Sequence, residues 1–550
     1  MGNMIGTNSD QAIKSRKDEM RNHVHNAQDS FVRRKVELEE LDDSDESNVK
    51  KEPAKEFSYG EVLDEVDADM LDEIRRYPFP FENLVFEGGG NKGLAFCGAV
   101  KILEELGIMR RIKRYAGASA GAMTAALLAV GYSADEIKEF LSQDLSQIFI
   151  DHSYGYLSLL PNLLSGFGWN PGSRIFQWFG ENLAKKTGNP DVTFYELYKN
   201  TGKELCIVVT NLNMMVAEYC HPKTSPDLPI RIAVRMSMAI PGLFQAIKYK
   251  SFGQCNWYVD GGLLNNYPIN CFDGWWLSMD RKDSFLNKLQ PLDAYPELFD
   301  RKGRFGTYNE KTLGFLLYAE SERDVLRNRL EQRQGTETPT FPQTKLGREK
   351  AKKKKMMENA KFEHHCTLEA VNAFFKVLQK YNTDMDEFID RNELQEALGD
   401  EDAFSKEQME RLFGSEITVN DVFDILDENK DGKINYQELV QFVERTGISL
   451  QSRFVGYQRS EIEGILSFFH TLQSTLVLNV KRSVVEDKDV ERTVGINTGH
   501  VDTSDFVLES EDREFVVKQG RRATESFLHY YAKKYPSQSI VLEHQSRKIR

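Results

Sequence analysis

A short apolar strand, Phe81–Phe86, runs straight into Gly88-Gly89-Gly90-Asn91-Lys92-Gly93, and Leu94–Leu106 then shows helical spacing of its apolar residues. The pattern repeats at once, because Arg114–Ala116 leads into Gly117-Ala118-Ser119-Ala120-Gly121 and the helix-forming run Ala122–Val130. Two strand-turn-helix units in series predict an α/β sheet. Further strands fit Glu204–Thr210 and Trp257–Val259, with a helical stretch Ile230–Ile240 between them that ends at Pro241-Gly242. The core therefore runs to about residue 320.

Beyond it the character changes. A helical stretch, Lys311–Arg333, is followed by a Thr/Pro linker, Gly335–Thr344, and by a basic run from Lys345 to Lys355 with seven bases against Glu349. This shift marks a boundary, and the run reads as a solvated linker before it reads as a membrane-attracting or import signal. A helix-loop-helix pattern fills Phe362–Thr446. A periodic helix with Ile462, Ile465, Leu466, Phe469 and Leu476 leads back out, and Val494–Tyr531 reads as a strand, a turn at Asp502–Asp505 and a final helix.

The 550 residues correspond to roughly three or four domain-sized units, and 34 Phe and 21 Tyr supply large cores, so disorder throughout is excluded. Acids outnumber bases 85 to 71, a net charge of −14, which argues against a nucleic-acid partner. Residues 1–76 hold 20 acids and 12 bases and so supply −8 of it: an acidic tail precedes a nearly balanced body. The six cysteines form no CxxC pair, pointing to free thiols in a reducing, cytoplasmic setting. No signal peptide opens the chain. The uncharged stretches Tyr115–Ala134 and His152–Ser173 are too rich in Gly, Ala and Pro to read as spans. Gly2 would suit myristoylation, but Gly6 stands where Ser or Thr is needed, so an ordinary flexible start is expected.

Gly117-Ala118-Ser119-Ala120-Gly121 fits G-x-S-x-G, in which Gly117 and Gly121 let a serine sit on a sharp strand-to-helix turn. Close packing at a helix start would favour the same letters. A serine nucleophile needs a base for its proton and amide donors for the oxyanion on the substrate carbonyl. The glycine loop stands at a helix N-terminus, where unpaired N–H groups and the dipole favour negative charge, so Gly88, Gly89, Gly90, Lys92 and Gly93 are the candidates. Asp260-Gly261-Gly262 follows a strand, where α/β sheets place functional side chains; alone it is a turn signal.

A second chemistry lies downstream. Residues 427–438 satisfy the twelve-residue EF-hand pattern: Asp427, Asn429 and Asp431 offer oxygens at positions 1, 3 and 5, Lys433 its carbonyl, Asn435 position 9, and Glu438 a bidentate grip, with Gly432 at the bend. Apolar helices flank the loop. Residues 382–393 match the same frame with Asn382, Asp384, Asp386 and Glu393, but Asn382 replaces the first Asp and Glu387 the bend glycine, so this hand reads as a structural partner with weak or no binding.

Together, in this order, Gly-Gly-Gly-x-Lys-Gly, Gly-x-Ser-x-Gly and Asp-Gly-Gly resemble the patatin-like phospholipase family. The surroundings match: Ile240-Pro241-Gly242-Leu243-Phe244 and Tyr258–Pro268 look like the family's aspartate segment, and Thr503-Ser504-Asp505-Phe506 resembles the end of many patatin domains. The resemblance implies a patatin-like three-layer α/β/α core interrupted by an all-α EF-hand insertion. Expected boundaries are a largely disordered tail at 1–79, a core at 80–320, the linker, basic run and EF-hand pair at 321–470, completion of the core at 471–535, and a tail at 536–550. It implies a Ser119/Asp260 dyad that releases fatty acid from a phospholipid or another glycerolipid through an acyl-enzyme; peripheral membrane contact is expected, and the EF-hand insert is expected to bind calcium outside the chemical step and to offer a route to its regulation. Two alternatives stand: a Ser119, Asp260, His500 triad of α/β-hydrolase type, and a calcium-responsive scaffold without turnover. The uncharged run Tyr154–Trp169 reads first as buried helix packing, otherwise as a membrane contact or acyl shelter.

Overall fold

In chain order the strands are β1 (Asn83–Phe86), β2 (Arg114–Gly117), β3 (Gly168–Asn170), β4 (Glu204–Asn211), β5 (Val216–Cys220), β6 (Gly242–Phe244), β7 (Ile247–Ser251), β8 (Gln254–Asp260), β9 (Thr312–Tyr318), β10 (Phe388–Ile389), β11 (Ile434–Asn435) and β12 (Thr493–Asn497). The helices that bear on the site are α1 (Ala95–Glu105), α2 (Ala120–Ala129), α3 (Leu159–Gly166), α4 (Ile230–Ser237), α5 (Gly262–Asn265), α6 (Lys345–Tyr381), α7 (Arg391–Leu398), α8 (Val419–Leu426), α9 (Tyr436–Arg445), α10 (Ile465–Val484) and α11 (Ser510–Lys534). The computed structural model describes residues 74–141, 151, 159–251, 253–320, 326–334, 339–382, 387–414, 417–445, 462, 464–503, 505 and 507–536.

An eight-stranded sheet runs in the order β12-β9-β1-β2-β4-β8-β7, with β5 also on β4. Strands β12, β9, β1, β2 and β4 are parallel. Such a sheet must be covered on both faces, and the sequence shows it: Leu84, Phe86, Leu205 and Phe315 enter the core shared with α1, α2 and α11, whereas Val85, Cys206 and Leu316 enter a second core with Tyr267 and Ile269. Buried Arg492, held by Asp273 (2.6 and 2.7 Å) and Asp489 (2.6 Å), ties the approach to β12 to that second layer.

Register sets the site. Gly117 of β2 pairs with Ile207, and Asp260 of β8 pairs with Val209. Because β5 pairs with β4 along Ile207–Asn211, it occupies one edge, so β2 and β8 share the other end to end. The end of β2 and the end of β8 therefore meet.

Three expectations are corrected. Thr312–Tyr318, placed in a helix, is a buried parallel strand between β1 and β12; an unbroken apolar run of this length has no periodicity that separates the two. The basic run is no linker but the start of the 37-residue α6, where Lys350 pairs with Asp502 and with Asp505 (3.3 Å). The described end of the run Tyr154–Trp169 is not all buried packing, since Leu164 is 72% and Phe167 53% exposed; residues 152–158 lie outside the described residues. No helix among the described residues is long and apolar enough to cross a membrane.

The segment between β9 and β12 builds its own core, in which Phe374 of α6 meets Phe404 and Phe413. Two-residue β10 and β11 pair antiparallel, joining the two loop regions.

Candidate active site

The turn after β2 is sharp. Ser119 has φ 51° and ψ −125°, outside the regions side-chain-bearing residues favour, and caps α2. The space is as tight as the conformation: a Cβ on Gly117 would overlap the backbone of Gly121, and one on Gly121 the carbonyls of Phe86 and Glu87. The Ser119 N–H donates to Ser237 Oγ (2.9 Å), whose hydroxyl donates to the Val208 carbonyl (2.6 Å). Ser237, at the end of α4, thus fixes the turn to β4; nothing local in the sequence marks it.

Asp260 lies beside this turn, 2% exposed. Its Oδ1 accepts the Gly262 N–H (2.7 Å), its backbone N–H donates to Ala239 (2.9 Å), and its carbonyl accepts Thr210 Oγ1 (2.9 Å). Burial pushes its carboxyl up to about 7, opposed by the Gly262 N–H and then by the Ser119 side chain. Oδ2 is buried and accepts no bond of ordinary length and angle, although Ser119 acts on the carboxylate. The two side chains are neighbours whose hydrogen bond is not closed.

The glycine loop completes the cluster. Gly88 lies against Ser119, since a Cβ on it would stand 3.0 Å from Ser119 Cβ and overlap Asn266 Oδ1. Its N–H is already donated to the Asn266 carbonyl (3.0 Å), and Asn266 Nδ2 returns a bond to the Gly88 carbonyl (2.9 Å). Gly88 therefore brings the backbone close, and the two residues that follow it are the N-cap, Gly89, and the first residue, Gly90, of a turn of 3-10 helix (Gly90–Leu94) leading into α1. Lys92 is buried, and the Gly93 backbone packs near Ala120. Gly90, Gly93, Ser119 and Thr503 all border one cavity, whose walls are mostly apolar, with Met123, Leu127, Leu141, Met238, Ile240 and Phe244 beside the polar Asn91 and Thr124.

His500 is elsewhere. Its Nε2 faces Asp512 Oδ1 (2.6 Å), which also accepts Thr344 Oγ1 (2.5 Å), so a Ser119, Asp260, His500 triad is not assembled.

In the second loop region Lys430 (φ 58°) and Gly432 (φ 84°) bend the chain, and the oxygens turn inward. Asp427 accepts the N–H groups of Asp431 (3.1 Å) and Gly432 (3.0 Å), and Glu438 those of Asn429 (3.2 Å) and Asn435 (2.9 Å). Among the described residues no group of three or more His, Cys, Asp or Glu side chains converges as a metal cluster. The donor set itself, hard oxygens from Asp427, Asn429, Asp431 and Glu438 on one bent loop, suits calcium rather than a softer metal. In the first loop Asp384 and Asp386 lie outside the described residues, Asn382 follows α6, and Glu393 accepts the Asp390 N–H (3.0 Å) in a capping box at α7.

Several known proteins are similar to parts of this chain. Among solved structures, VipD from Legionella pneumophila aligns with a TM-score of 0.36 and 16% identity over 82% of this chain and 67% of that one. An EF hand domain model matches residues 418–446. The probable lipid hydrolase 463L of Invertebrate iridescent virus 6 is 29% identical over 198 residues, 35% of this chain and 63% of that protein. The uncharacterized protein YqhO of Bacillus subtilis is 36% identical over 205 residues, 36% of this chain and 67% of that protein, so the match takes in about two thirds of either relative. The patatin-like phospholipase model matches residues 84–273, spanning the glycine loop, Ser119 and Asp260. The chain belongs to the patatin-like phospholipase family of lipid acyl hydrolases.

Proposed function

We propose that the chain releases fatty acid from a phospholipid through Ser119 and Asp260. The observation that carries this reading is the meeting of a strained serine and the glycine loop at the border of a mainly apolar cavity, with a buried carboxylate beside that serine. In the reading, Ser119 Oγ attacks the ester carbonyl carbon while Asp260 takes its proton. A carboxylate with an ordinary pKa near 3.9 is a feeble base, and desolvation of Asp260 brings its basicity toward the working pH. The tetrahedral oxyanion is held by N–H groups of Gly89 and Gly90. Collapse expels the lysolipid alcohol, which takes the proton back from Asp260, and leaves an acyl-Ser119 ester. Water, losing a proton to Asp260, then hydrolyses that ester, and the acyl chain occupies the apolar cavity throughout. The relative 463L, named a probable lipid hydrolase, supports the substrate class.

The test is fatty-acid release from mixed phospholipid vesicles. Ser119→Ala keeps the backbone and removes only the hydroxyl; release is expected to fall by about 10⁴-fold or more. Serine-independent release would assign the activity to another group.

A second reading concerns calcium, which Asp427, Asn429, Asp431, Lys433, Asn435 and Glu438 would hold and which would supply order rather than chemistry. We infer that its binding is felt at the site, because both helices carrying the insert end there. On α6, Lys350 pairs with Asp502 and Asp505, which flank the cavity residue Thr503. On α10, Lys481 pairs with Glu87 (2.7 Å, both buried), one residue before Gly88.

A further inference from the structure

Among the described residues, four that are not glycine have a positive φ: Ser119, Lys430, Phe167 and Met215. The first sits at the candidate nucleophile turn and the second in the calcium loop. Phe167 and Met215 have neither role, yet each holds a bulky apolar side chain in a left-handed backbone conformation that favours glycine, and each is exposed, by 53% and 82%.

The two occur at one end of the sheet. β4 runs parallel to β1 and β2, so its last residue, Asn211, points to the end where Gly88 and Ser119 lie. The β4–β5 hairpin carries Leu212, Met214, Met215 and Val216 past that end, all exposed and with no charge between Asn211 and Ala217. The Leu212 N–H donates to the Trp257 carbonyl (2.9 Å), and the ring of Phe167 packs edge-on against Trp257 (5.0 Å between centroids). The next residue after Phe167, Gly168, pairs with Gly242, two residues from the cavity wall at Phe244. Exposed apolar residues thus run from the hairpin tip past Trp257 to Phe167, next to the strand pair that leads to the cavity wall.

Its border is basic. Lys248 is opposite Trp257 in the β7–β8 pairing and reaches over its ring at 5.7 Å, while Lys250 stands two residues on, on the same face. No acid occurs from Ile247 to Val259. Uncharged tip, aromatic shoulder and lysine border are the arrangement that suits an anionic bilayer: apolar groups enter the acyl boundary and the ammonium groups stay among phosphates.

We propose that the β4–β5 hairpin tip, with Phe167 and Trp257, is the face that docks on an anionic phospholipid bilayer and brings its ester groups to Ser119. The proposal rests on the lipid-hydrolase reading only for its choice of partner. The test measures sedimentation of the full chain with phosphatidylcholine vesicles, with and without phosphatidylserine, in a Ser119→Ala background so that the surface stays intact. Met214→Glu with Met215→Glu is expected to weaken binding at least tenfold. Lys248→Gln with Lys250→Gln is expected to lower the preference for phosphatidylserine by about fivefold per lysine. With Ser119 restored, both pairs hydrolyse a monomeric soluble ester at the unsubstituted rate, which reports an intact fold. Binding unchanged by the methionine pair, or no binding to either vesicle, overturns the docking face. Tip-dependent binding without hydrolysis of any ester would instead sink the hydrolase reading and leave the docking face standing.

Discussion

Asp260 holds its proton to near neutral pH because burial removes the water that would stabilise its charge, and one Gly262 N–H only partly replaces it. Two consequences follow from a carboxyl moved from about 4 up to about 7. As the base of the proposed reaction it works ionised, so kcat/KM rises about tenfold per pH unit below about pH 7 and levels above it. For stability the sign is opposite: the folded state binds the proton more tightly than the unfolded one, so stability falls as pH rises from about 4 to about 7. Asp260→Asn removes that penalty while keeping shape. Its Tm is expected to exceed the wild type's at pH 8, the gap closing by pH 4, with fatty-acid release down by about 10² to 10⁴. A pH profile flat from 5 to 8 would remove Asp260 from the role of base. The nucleophile's letters were plain in the sequence; Ser237 and Asn266, which fix its turn and the loop, were not, because their partners are remote in the chain.

Between elements, α1 and α11 approach closely. A Cβ on Gly520 would overlap the Ala95 carbonyl, and one on Gly98 the Val517 carbonyl, so the two helices touch backbone to backbone. This contact fastens the C-terminal return of the chain to the helix that follows the glycine loop. Gly520→Ala is expected to cost at least about 2 kcal/mol, read as a lower urea midpoint with unchanged slope, although alanine favours a helix by about 1 kcal/mol. A stabilised Gly520→Ala variant would show that the helices can part without loss. Element type was legible wherever an apolar run had a period or a glycine turn: β1, β2, β4 and β8 stand where their sequences predict them, within a few residues. It failed at Thr312–Tyr318 and at Lys345–Lys355. The first has no polar face to show a period, and the second forms a helix whose charges are answered by Glu320, Asp502 and Asp505 from other parts of the chain.

At the scale of the molecule, an EF-hand module with its own core hangs on two helices whose feet are ion pairs beside the candidate site's glycine loop and Thr503. If those feet transmit order, fatty-acid release is higher with calcium than with chelator by about threefold to tenfold, the range of a coupling near 1 kcal/mol. Glu438→Gln is expected to bring that ratio to about one, and Lys481→Met, which cuts one foot and leaves the calcium loop whole, to lower it. Equal ratios in all three, with calcium binding confirmed in the wild type, would make the ion purely structural. The sequence by itself determined the glycine turns, the G-x-S-x-G elbow and the twelve-residue EF-hand loop, since each is settled by backbone conformation and donor chemistry within a dozen residues. Only the tertiary structure decided that Ser119 meets Asp260 along one edge of β4, that His500 belongs to Asp512, and that Phe167 and Met215 face outward. Those outcomes depend on strand register and on which surfaces remain for burial once the sheet has closed, and no local window of sequence carries either.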